Sequence, residues 1–159
     1  MKITLLCVGK VKEAFYRDAV AEYLKRLSRY AEVCVIEVAD ERTKEQPTEA
    51  ERGLVLAKEG ERLLKYMERF DKSIALAIEG RTMDSVRFSE QLQRLMDGGC
   101  GHLGFIIGGS LGLSKTVLDR SDAQVSFSEM TFPHQLMRVI LAEQIYRGFR
   151  IMKGEPYHK

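Results

Sequence analysis

Five short runs of mainly apolar residues lie along the chain, and each is followed by a longer segment with helical periodicity. The runs lack the strict polar–apolar alternation of a strand that is half exposed to solvent. They predict five strands, buried in a parallel sheet, at residues 3–8, 33–39, 73–78, 103–107 and 124–127.

The segments between these runs predict five helices, because their apolar residues recur on one helical face. The segments are residues 13–30, 48–68, 85–97, 115–120 and 133–152. Thr48 and Glu51 have the spacing of a capping box, and Ser85 and Ser114 are suited to cap two further helices. Pro133 suits the first turn of the last helix, since its fixed φ fits that position.

Alternating strands and amphipathic helices are typical of the α/β class. We therefore expect a mostly parallel five-stranded sheet with helices on both faces, in a single domain spanning residues 1–159. Because knots are nearly absent from proteins, topology rules alone predict an unknotted, doubly wound arrangement.

Three glycines directly follow the fourth strand, at Gly108, Gly109 and Gly112. Ligands of open α/β sheets bind beyond the carboxyl ends of the strands, so this turn is a candidate binding loop. Its spacing matches neither the dinucleotide fingerprint nor a phosphate-binding loop. A tight strand-to-helix turn without any ligand fits the same residues.

Composition narrows the class of protein. The formal net charge of +2 gives no general field that would attract nucleic acid. Cys7, Cys34 and Cys100 are widely spaced and form no metal-binding motif, so we expect reduced thiols and no metal. No apolar run is long enough to span a membrane, and no secretory leader is recognisable, which predicts a cytoplasmic protein.

Four motifs, taken in order, resemble one known family. They are Ile-Gly-Gly-Ser-Leu-Gly-Leu at residues 107–113, Met-Thr-Phe-Pro-His at 130–134, Arg-Val-Ile-Leu-Ala-Glu-Gln-Ile-Tyr-Arg at 138–147, and Pro-Tyr-His at 156–158. Their order and spacing resemble the ribosomal large subunit methyltransferase H family, the smallest branch of the SPOUT methyltransferases. Each motif alone is weak, and the resemblance depends on the combination.

The resemblance implies properties that composition does not. It implies a C-terminal trefoil knot, with residues 103–159 as the knotted part that binds the cofactor. It also implies S-adenosylmethionine as the methyl donor and an obligate homodimer. The implied substrate is a pseudouridine in helix 69 of 23S ribosomal RNA, methylated at N3 within assembled 70S ribosomes.

The family's cofactor contacts fall, position by position, on residues at the ends of three predicted strands. They are Leu76, Gly108, Phe127, Ser128, Glu129, Met130, Thr131 and Phe132. Backbone groups there can bind the adenine edge while apolar side chains form the walls. Without the resemblance, Phe127 and Phe132 are more simply interpreted as core aromatics.

Near the C-terminus, Arg147, Tyr157 and His158 are candidate catalytic residues, and His134 and Arg138 are candidate substrate-binding residues. Residues 131–159 contain five Lys or Arg and two acidic residues, an excess that suits phosphate contacts. A solvated helix face is the other explanation of these charges, and for any single residue it is the simpler one. Arginine can stabilise charge on a uracil oxygen, and histidine ordinarily titrates near neutrality and can accept a proton.

Two other functions remain compatible with the sequence. One is a SPOUT methyltransferase that acts on another RNA, such as transfer RNA. The other is a non-catalytic module that binds the ribosome and has lost turnover. The intact glycine loop and the Tyr157–His158 pair favour the enzyme.

Overall fold

The computed structural model describes residues 1–159 and contains ten regular elements, in the predicted order. The strands are β1 (Lys2–Val8), β2 (Glu32–Val38), β3 (Lys72–Thr82), β4 (His102–Ile107) and β5 (Ala123–Ser126). The helices are α1 (Ala14–Leu27), α2 (Glu49–Met67), α3 (Ser85–Asp97), α4 (Lys115–Arg120) and α5 (His134–Met152). No helix is long and apolar enough to cross a membrane.

All five strands are parallel and form one sheet in the order β2-β1-β4-β3-β5. The two central strands, β1 and β4, are almost entirely buried, which explains their continuous apolar sequence. The predicted α/β class and the five-stranded parallel sheet are confirmed.

Side chains alternate between the two faces of the sheet, and each face has its own core. Odd-numbered residues of β1, such as Leu5, pack with Phe88 of α3 and Leu141 of α5 in the larger cluster. Even-numbered residues, such as Leu6, pack with Leu63 of α2 and belong to the smaller cluster. The helices therefore cover both faces, as predicted.

Local capping explains why several boundaries were predictable. The Thr48 hydroxyl accepts from the Glu51 amide while the Glu51 carboxylate accepts from the Thr48 amide, so the capping box is complete. Ser114 caps α4 as predicted. The N-cap of α3 is Asp84 rather than Ser85, because the Asp84 carboxylate accepts from the Arg87 amide.

Strand β3 differs from its prediction because it does not end at Ile78. Its pairing with β5 is interrupted, and both Leu76 and Arg81 align with Val125. Residues 77–80 therefore bulge out of the ladder before the strand resumes. A side chain at Gly80 would lie 2.8 Å from the backbone of Val125, so this close approach requires glycine.

The strand order makes the chain cross over itself before α5. Strand β5 lies at one edge of the sheet, next to β3, whereas α5 packs between α1 and α3 over the central strands. The segment from β5 to α5 must therefore cross the carboxyl end of β3. Such a crossing is necessary for the trefoil knot, which remains a prediction.

Candidate functional site

A cavity of about 840 Å³ opens at the carboxyl ends of β3, β4 and β5. Three segments supply most of its lining: residues 76–79, residues 107–113, and residues 124–134 apart from Glu129. Arg52 of α2, Leu118 of α4 and Met137 of α5 complete the lining. The volume lies within the range of small-molecule sites, and the position is the expected one for a ligand of a parallel sheet.

The glycine loop forms one wall of the cavity through a close backbone contact. A Cβ on Gly108 would lie 2.3 Å from the carbonyl oxygen of Gly112, so no side chain fits there. Gly112 has a φ of 86°, which favours glycine, and it is bridged to Gly109. The glycines therefore shape the cavity wall itself.

The bulge in β3 forms the opposite wall. It turns residues 77–79 towards the cavity, beside Leu76. Ile78 is 52% exposed although it is a large apolar residue within a strand. An apolar side chain left open at a cavity suits contact with a ligand.

The segment after β5 forms the third wall. The Ser126 hydroxyl donates to the carbonyl of Ser128, and the Ser128 hydroxyl accepts from the amide of Met130, which fixes the turn. Phe127 lines the cavity and also packs on Phe88 of the core. It is therefore both a cavity residue and a core aromatic. Met130 is 73% exposed.

One predicted cofactor residue is placed elsewhere. Seven of the eight line the cavity, namely Leu76, Gly108, Phe127, Ser128, Met130, Thr131 and Phe132. Glu129 is absent from the lining, and its side chain is exposed to solvent. In a tight turn, neighbouring side chains point in different directions, so a consecutive range of residues overestimates the contacts.

Few charged groups line the cavity. Arg52 and Glu79 are the only charged side chains among the lining residues. The other lining residues are apolar side chains, hydroxyls, glycines, Gln124 and His134, so a cationic ligand would meet only one fixed cation. This environment fits a sulfonium such as that of S-adenosylmethionine, which is disfavoured by nearby positive charge.

A buried carboxyl group lies directly behind the glycine loop. Glu59 of α2 is only 4% exposed, and its Oε2 has no hydrogen-bond partner while its Oε1 accepts from the Glu41 amide. Burial raises the pKa of Glu59. A Cβ on Gly109 would lie 3.2 Å from this carboxyl group, so the two are closely packed.

The two predicted substrate-binding residues have different environments. His134, at the start of α5, lines the cavity. Partial burial lowers its pKa, and the positive charge of Arg138 adds to this effect, so the ring is favoured in its neutral form.

The prediction that Arg138 lies on a phosphate-binding surface is corrected by its burial. Its side chain is 1% exposed and makes an ion pair with Glu37. The guanidinium also donates to the carbonyls of Val8 and Gly9. A solvent-facing role is incompatible with these contacts, which join the start of α5 to the end of β1.

The three predicted catalytic residues lie together around a fourth residue, Glu143. The Glu143 carboxylate accepts from Arg147 and, at 3.1 Å, from the Tyr157 hydroxyl. The Arg147 guanidinium lies 4.7 Å from the centre of the Tyr157 ring. It also approaches Nδ1 of His158 at 3.3 Å. Glu143 was not a candidate from the sequence, although its i,i+4 spacing to Arg147 was a usable signal.

The C-terminal tail is docked on its own chain. Tyr157 meets the Tyr146 ring edge-on at 5.0 Å. Burial and the bond to Glu143 raise the pKa of Tyr157 to about 12, so its phenol stays protonated at neutral pH. The Tyr30 hydroxyl donates to Glu155, which also pairs with Arg150.

This cluster lies away from the cavity within one chain. Met137 lines the cavity, and Arg147 follows ten residues later in α5, which is about 15 Å along the helix axis. The structure therefore brings the cofactor residues together and the catalytic residues together, but in two separate groups.

Three of the five basic residues within residues 131–159 are held in ion pairs. Arg138, Arg147 and Arg150 each form an ion pair. Lys153 is exposed and forms none.

The free cysteines are Cys7, Cys34 and Cys100, and no group of three or more His, Cys, Asp or Glu side chains could hold a metal ion.

Comparison with known proteins identifies the family. Residues 1–158 match the family model described as "Predicted SPOUT methyltransferase". The chain is 54% identical to the ribosomal RNA large subunit methyltransferase H of Bifidobacterium adolescentis and 52% identical to that of Enterococcus faecalis. Both alignments cover 159 residues and all of each protein.

Solved structures agree at the level of the fold. A probable methyltransferase from Bordetella pertussis has a TM-score of 0.57 at 11% identity, over 92% of this chain and 95% of its own. A Legionella pneumophila protein named as a "putative methyltransferase" and solved with bound S-adenosylmethionine has a TM-score of 0.51 at 11% identity, over 94% of this chain and 66% of its own. The chain belongs to the ribosomal RNA large subunit methyltransferase H family of SPOUT methyltransferases.

Proposed function

We propose that this protein methylates N3 of a pseudouridine in helix 69 of 23S ribosomal RNA, using S-adenosylmethionine, as a cytoplasmic homodimer acting on assembled ribosomes. The observation that carries the proposal is the full-length identity above 50% to relatives named as large-subunit ribosomal RNA methyltransferases. The separation of the cofactor residues from the catalytic residues supports the dimer.

The cavity is the proposed cofactor site. Gly108 brings the loop backbone close, Leu76 and Phe132 form apolar walls, and the backbone of residues 127–132 offers polar groups. Glu129 does not line the cavity and is left out of the proposed site. When bound, the cofactor supplies an electrophilic methyl group, and the oxygen-rich, apolar lining orients it and excludes water.

The methyl acceptor requires two further contributions from the protein. N3 of the uracil ring carries a weakly acidic imide proton, which must leave as the new bond forms. The resulting negative charge spreads to the two flanking carbonyl oxygens. The site must therefore stabilise that charge and accept the proton.

Arg147 and His158 are the proposed groups for these steps. Because a guanidinium only donates hydrogen bonds, Nδ1 of His158 accepts from Arg147, and the proton of the neutral ring lies on Nε2. When Arg147 turns to a uracil oxygen, Nδ1 becomes free to accept the N3 proton. The two roles are thus coupled in one movement.

Tyr157 is the proposed support of this pair. Its hydroxyl donates a hydrogen bond to Glu143, and the Arg147 guanidinium packs over its ring. A raised pKa of about 12 excludes it as a base at neutral pH. Tyr157 then orients Arg147 and offers a ring edge to the substrate base.

A homodimer brings the two groups together. One stripe of α5 is only partly buried in the single chain and includes Leu136, Val139, Ile140, Glu143 and Arg147. If two α5 helices pack antiparallel around the centre of this stripe, Arg147 of one protomer lies beside Leu136 of its partner. That end of the helix adjoins the cavity, so each tail completes the partner's site.

The proposal is tested by transfer of labelled methyl groups from S-adenosylmethionine. Unmethylated 70S ribosomes, isolated large subunits and bulk transfer RNA serve as acceptors in parallel. We expect label in 23S RNA of 70S ribosomes and none in transfer RNA. Label in transfer RNA favours another RNA substrate, and ribosome binding without label favours the non-catalytic module.

A further inference from the structure

Glu59 of α2 is a buried carboxyl group that lies behind the glycine loop without lining the cavity itself. Its residue is 4% exposed. Its Oε1 accepts a hydrogen bond from the Glu41 amide, whereas its Oε2 has no hydrogen-bond partner. Because a buried carboxylate with an unsatisfied oxygen is energetically costly, Glu59 is a candidate for a charge with a function.

Gly109 lies between this carboxyl group and the cavity. It lines the cavity, and a Cβ on it would lie 3.2 Å from Oε2 and 3.4 Å from Oε1 of Glu59. Since Gly109 has no side chain, the carboxyl group packs directly against the loop that forms the cavity wall. A charge buried in this position acts on the cavity with little screening by salt.

The charged groups around Glu59 allow it to ionise. Burial raises the pKa of Glu59, and the nearby charges of Asp40 and Glu41 raise it further, whereas the Glu41 amide and Arg62 lower it. Arg62 is itself engaged with Glu41 and with the Ala39 carbonyl. A cation that enters the cavity favours the charged form of the carboxyl group and supplies the positive charge that Oε2 lacks.

The charge of the cofactor changes during methyl transfer. S-adenosylmethionine carries a positive sulfonium. When the methyl group moves to the acceptor, the carbon–sulfur bond breaks and its electron pair stays on sulfur. The product, S-adenosylhomocysteine, therefore has a neutral thioether and one positive charge less. A fixed negative charge behind the cavity wall attracts this extra charge of the donor and distinguishes the donor from the product.

We propose that Glu59 determines specificity between donor and product, as a buried counterion that acts across Gly109 and favours S-adenosylmethionine over S-adenosylhomocysteine. The inference rests on the proposed function, since it takes the cavity as the cofactor site. The attraction is lost with the methyl group, so the same charge promotes release of the product. Glu79 is the other carboxylate near the ligand, but it is exposed, and water and salt screen its charge.

The test is the ratio of two dissociation constants, the Kd for S-adenosylhomocysteine divided by the Kd for S-adenosylmethionine. Isothermal calorimetry measures both at mildly alkaline pH. Glu59→Gln keeps the shape of the side chain and removes the charge, whereas Glu59→Asp keeps the charge. Glu79→Gln removes the carboxylate that lines the cavity, and Glu61→Gln, an exposed position of α2, is the matched control. The thermal unfolding midpoint is measured for every variant.

We expect Glu59→Gln to lower this ratio about 10-fold through weaker binding of S-adenosylmethionine, as for the loss of one attraction between charges. Glu59→Asp, Glu79→Gln and Glu61→Gln should keep the wild-type ratio. A merely structural role of Glu59 would change the affinity for both ligands equally, and an unchanged ratio in folded Glu59→Gln would overturn the inference.

A measurement on the wild-type protein gives an independent test if Glu59→Gln does not fold. The ratio should persist at about 1 M salt, since a buried charge is screened little. A ratio that falls steeply with salt would assign the preference to exposed charges and overturn the inference.

The outcomes separate this inference from the proposed function. If wild type methylates ribosomes and Glu59→Gln keeps the wild-type ratio, the buried counterion is wrong and the function stands. If Glu79→Gln lowers the ratio and Glu59→Gln does not, the exposed carboxylate is the counterion and the inference fails. If Glu59→Gln lowers the ratio but wild type methylates no ribosome, the counterion stands and the proposed function fails.

Discussion

The guanidinium of Arg138 donates a 2.8 Å hydrogen bond to the carboxylate of Glu37, across 101 residues of sequence. The same guanidinium holds the carbonyls of Val8 and Gly9. Because Glu37 also accepts from the Val11 amide, one ion pair fixes the end of β1, the following loop and the start of α5. Arg138 thus fixes elements beside the cavity although it does not line the cavity itself.

Replacement of Arg138 should therefore reduce stability. Arg138→Ala leaves two carbonyls and a carboxylate without their donor, and we expect the free energy of unfolding to fall by about 3 kcal/mol. Urea unfolding measures this, with Lys65→Ala as an exposed control. If Arg138→Ala has wild-type stability but binds RNA more weakly, Arg138 contacts phosphate and the structural role is wrong.

Gly108 is predicted to be essential for cofactor binding. Gly108→Val places Cβ against the carbonyl of Gly112, so the loop must open and lose its shape. We expect affinity for S-adenosylmethionine to fall at least ~10-fold, a cost of ~1.4 kcal/mol, in isothermal calorimetry. Gly53→Val is the matched control, since no atom lies within 4 Å of its Cβ position. If a folded Gly108→Val protein has unchanged affinity, the cofactor does not bind at this loop.

Arg147 and His158 are predicted to affect the rate and not cofactor binding. Arg147→Ala and His158→Ala should each lower the single-turnover rate by at least ~100-fold, as for a positioned acid–base group. Lys153→Ala, in the same exposed segment, should retain the wild-type rate. If His158→Ala methylates ribosomes at the wild-type rate across neutral pH, His158 is a binding residue and not the base.

Complementation between protomers tests whether the tail acts across the dimer. Gly108→Val removes the cavity of a protomer but leaves its tail, whereas His158→Ala removes the tail function but leaves the cavity. Mixed dimers contain one intact composite site, so we expect them to regain up to half of the wild-type activity per dimer. Tails that act within their own chain predict no recovery, because each protomer then retains one defect.

The sequence was sufficient for features that depend on neighbouring residues. The buried strands follow from continuous apolar runs, and α4 begins where Ser114 can cap it. The resemblance to the family supplied the function and most of the cavity residues, because short motifs keep their order and spacing.

The remaining features depend on contacts between distant parts of the chain. The bulge of β3 depends on the approach of Gly80 to β5, more than 40 residues later. The burial of Arg138 depends on Glu37 and on two carbonyls of the β1 end. The residues next to Arg138 in the sequence do not indicate that its guanidinium will be buried against these partners.

Mass spectrometry of nucleosides from 23S RNA is the most direct test of the central claim. Unmethylated 70S ribosomes are incubated with the protein and S-adenosylmethionine, and the RNA is then digested and mapped. We expect one methyl group on N3 of a pseudouridine in helix 69, with less methylation when Gly108→Val replaces wild type at a limiting cofactor concentration. A methyl group on carbon, on ribose or in another helix, or none at all, would contradict the account.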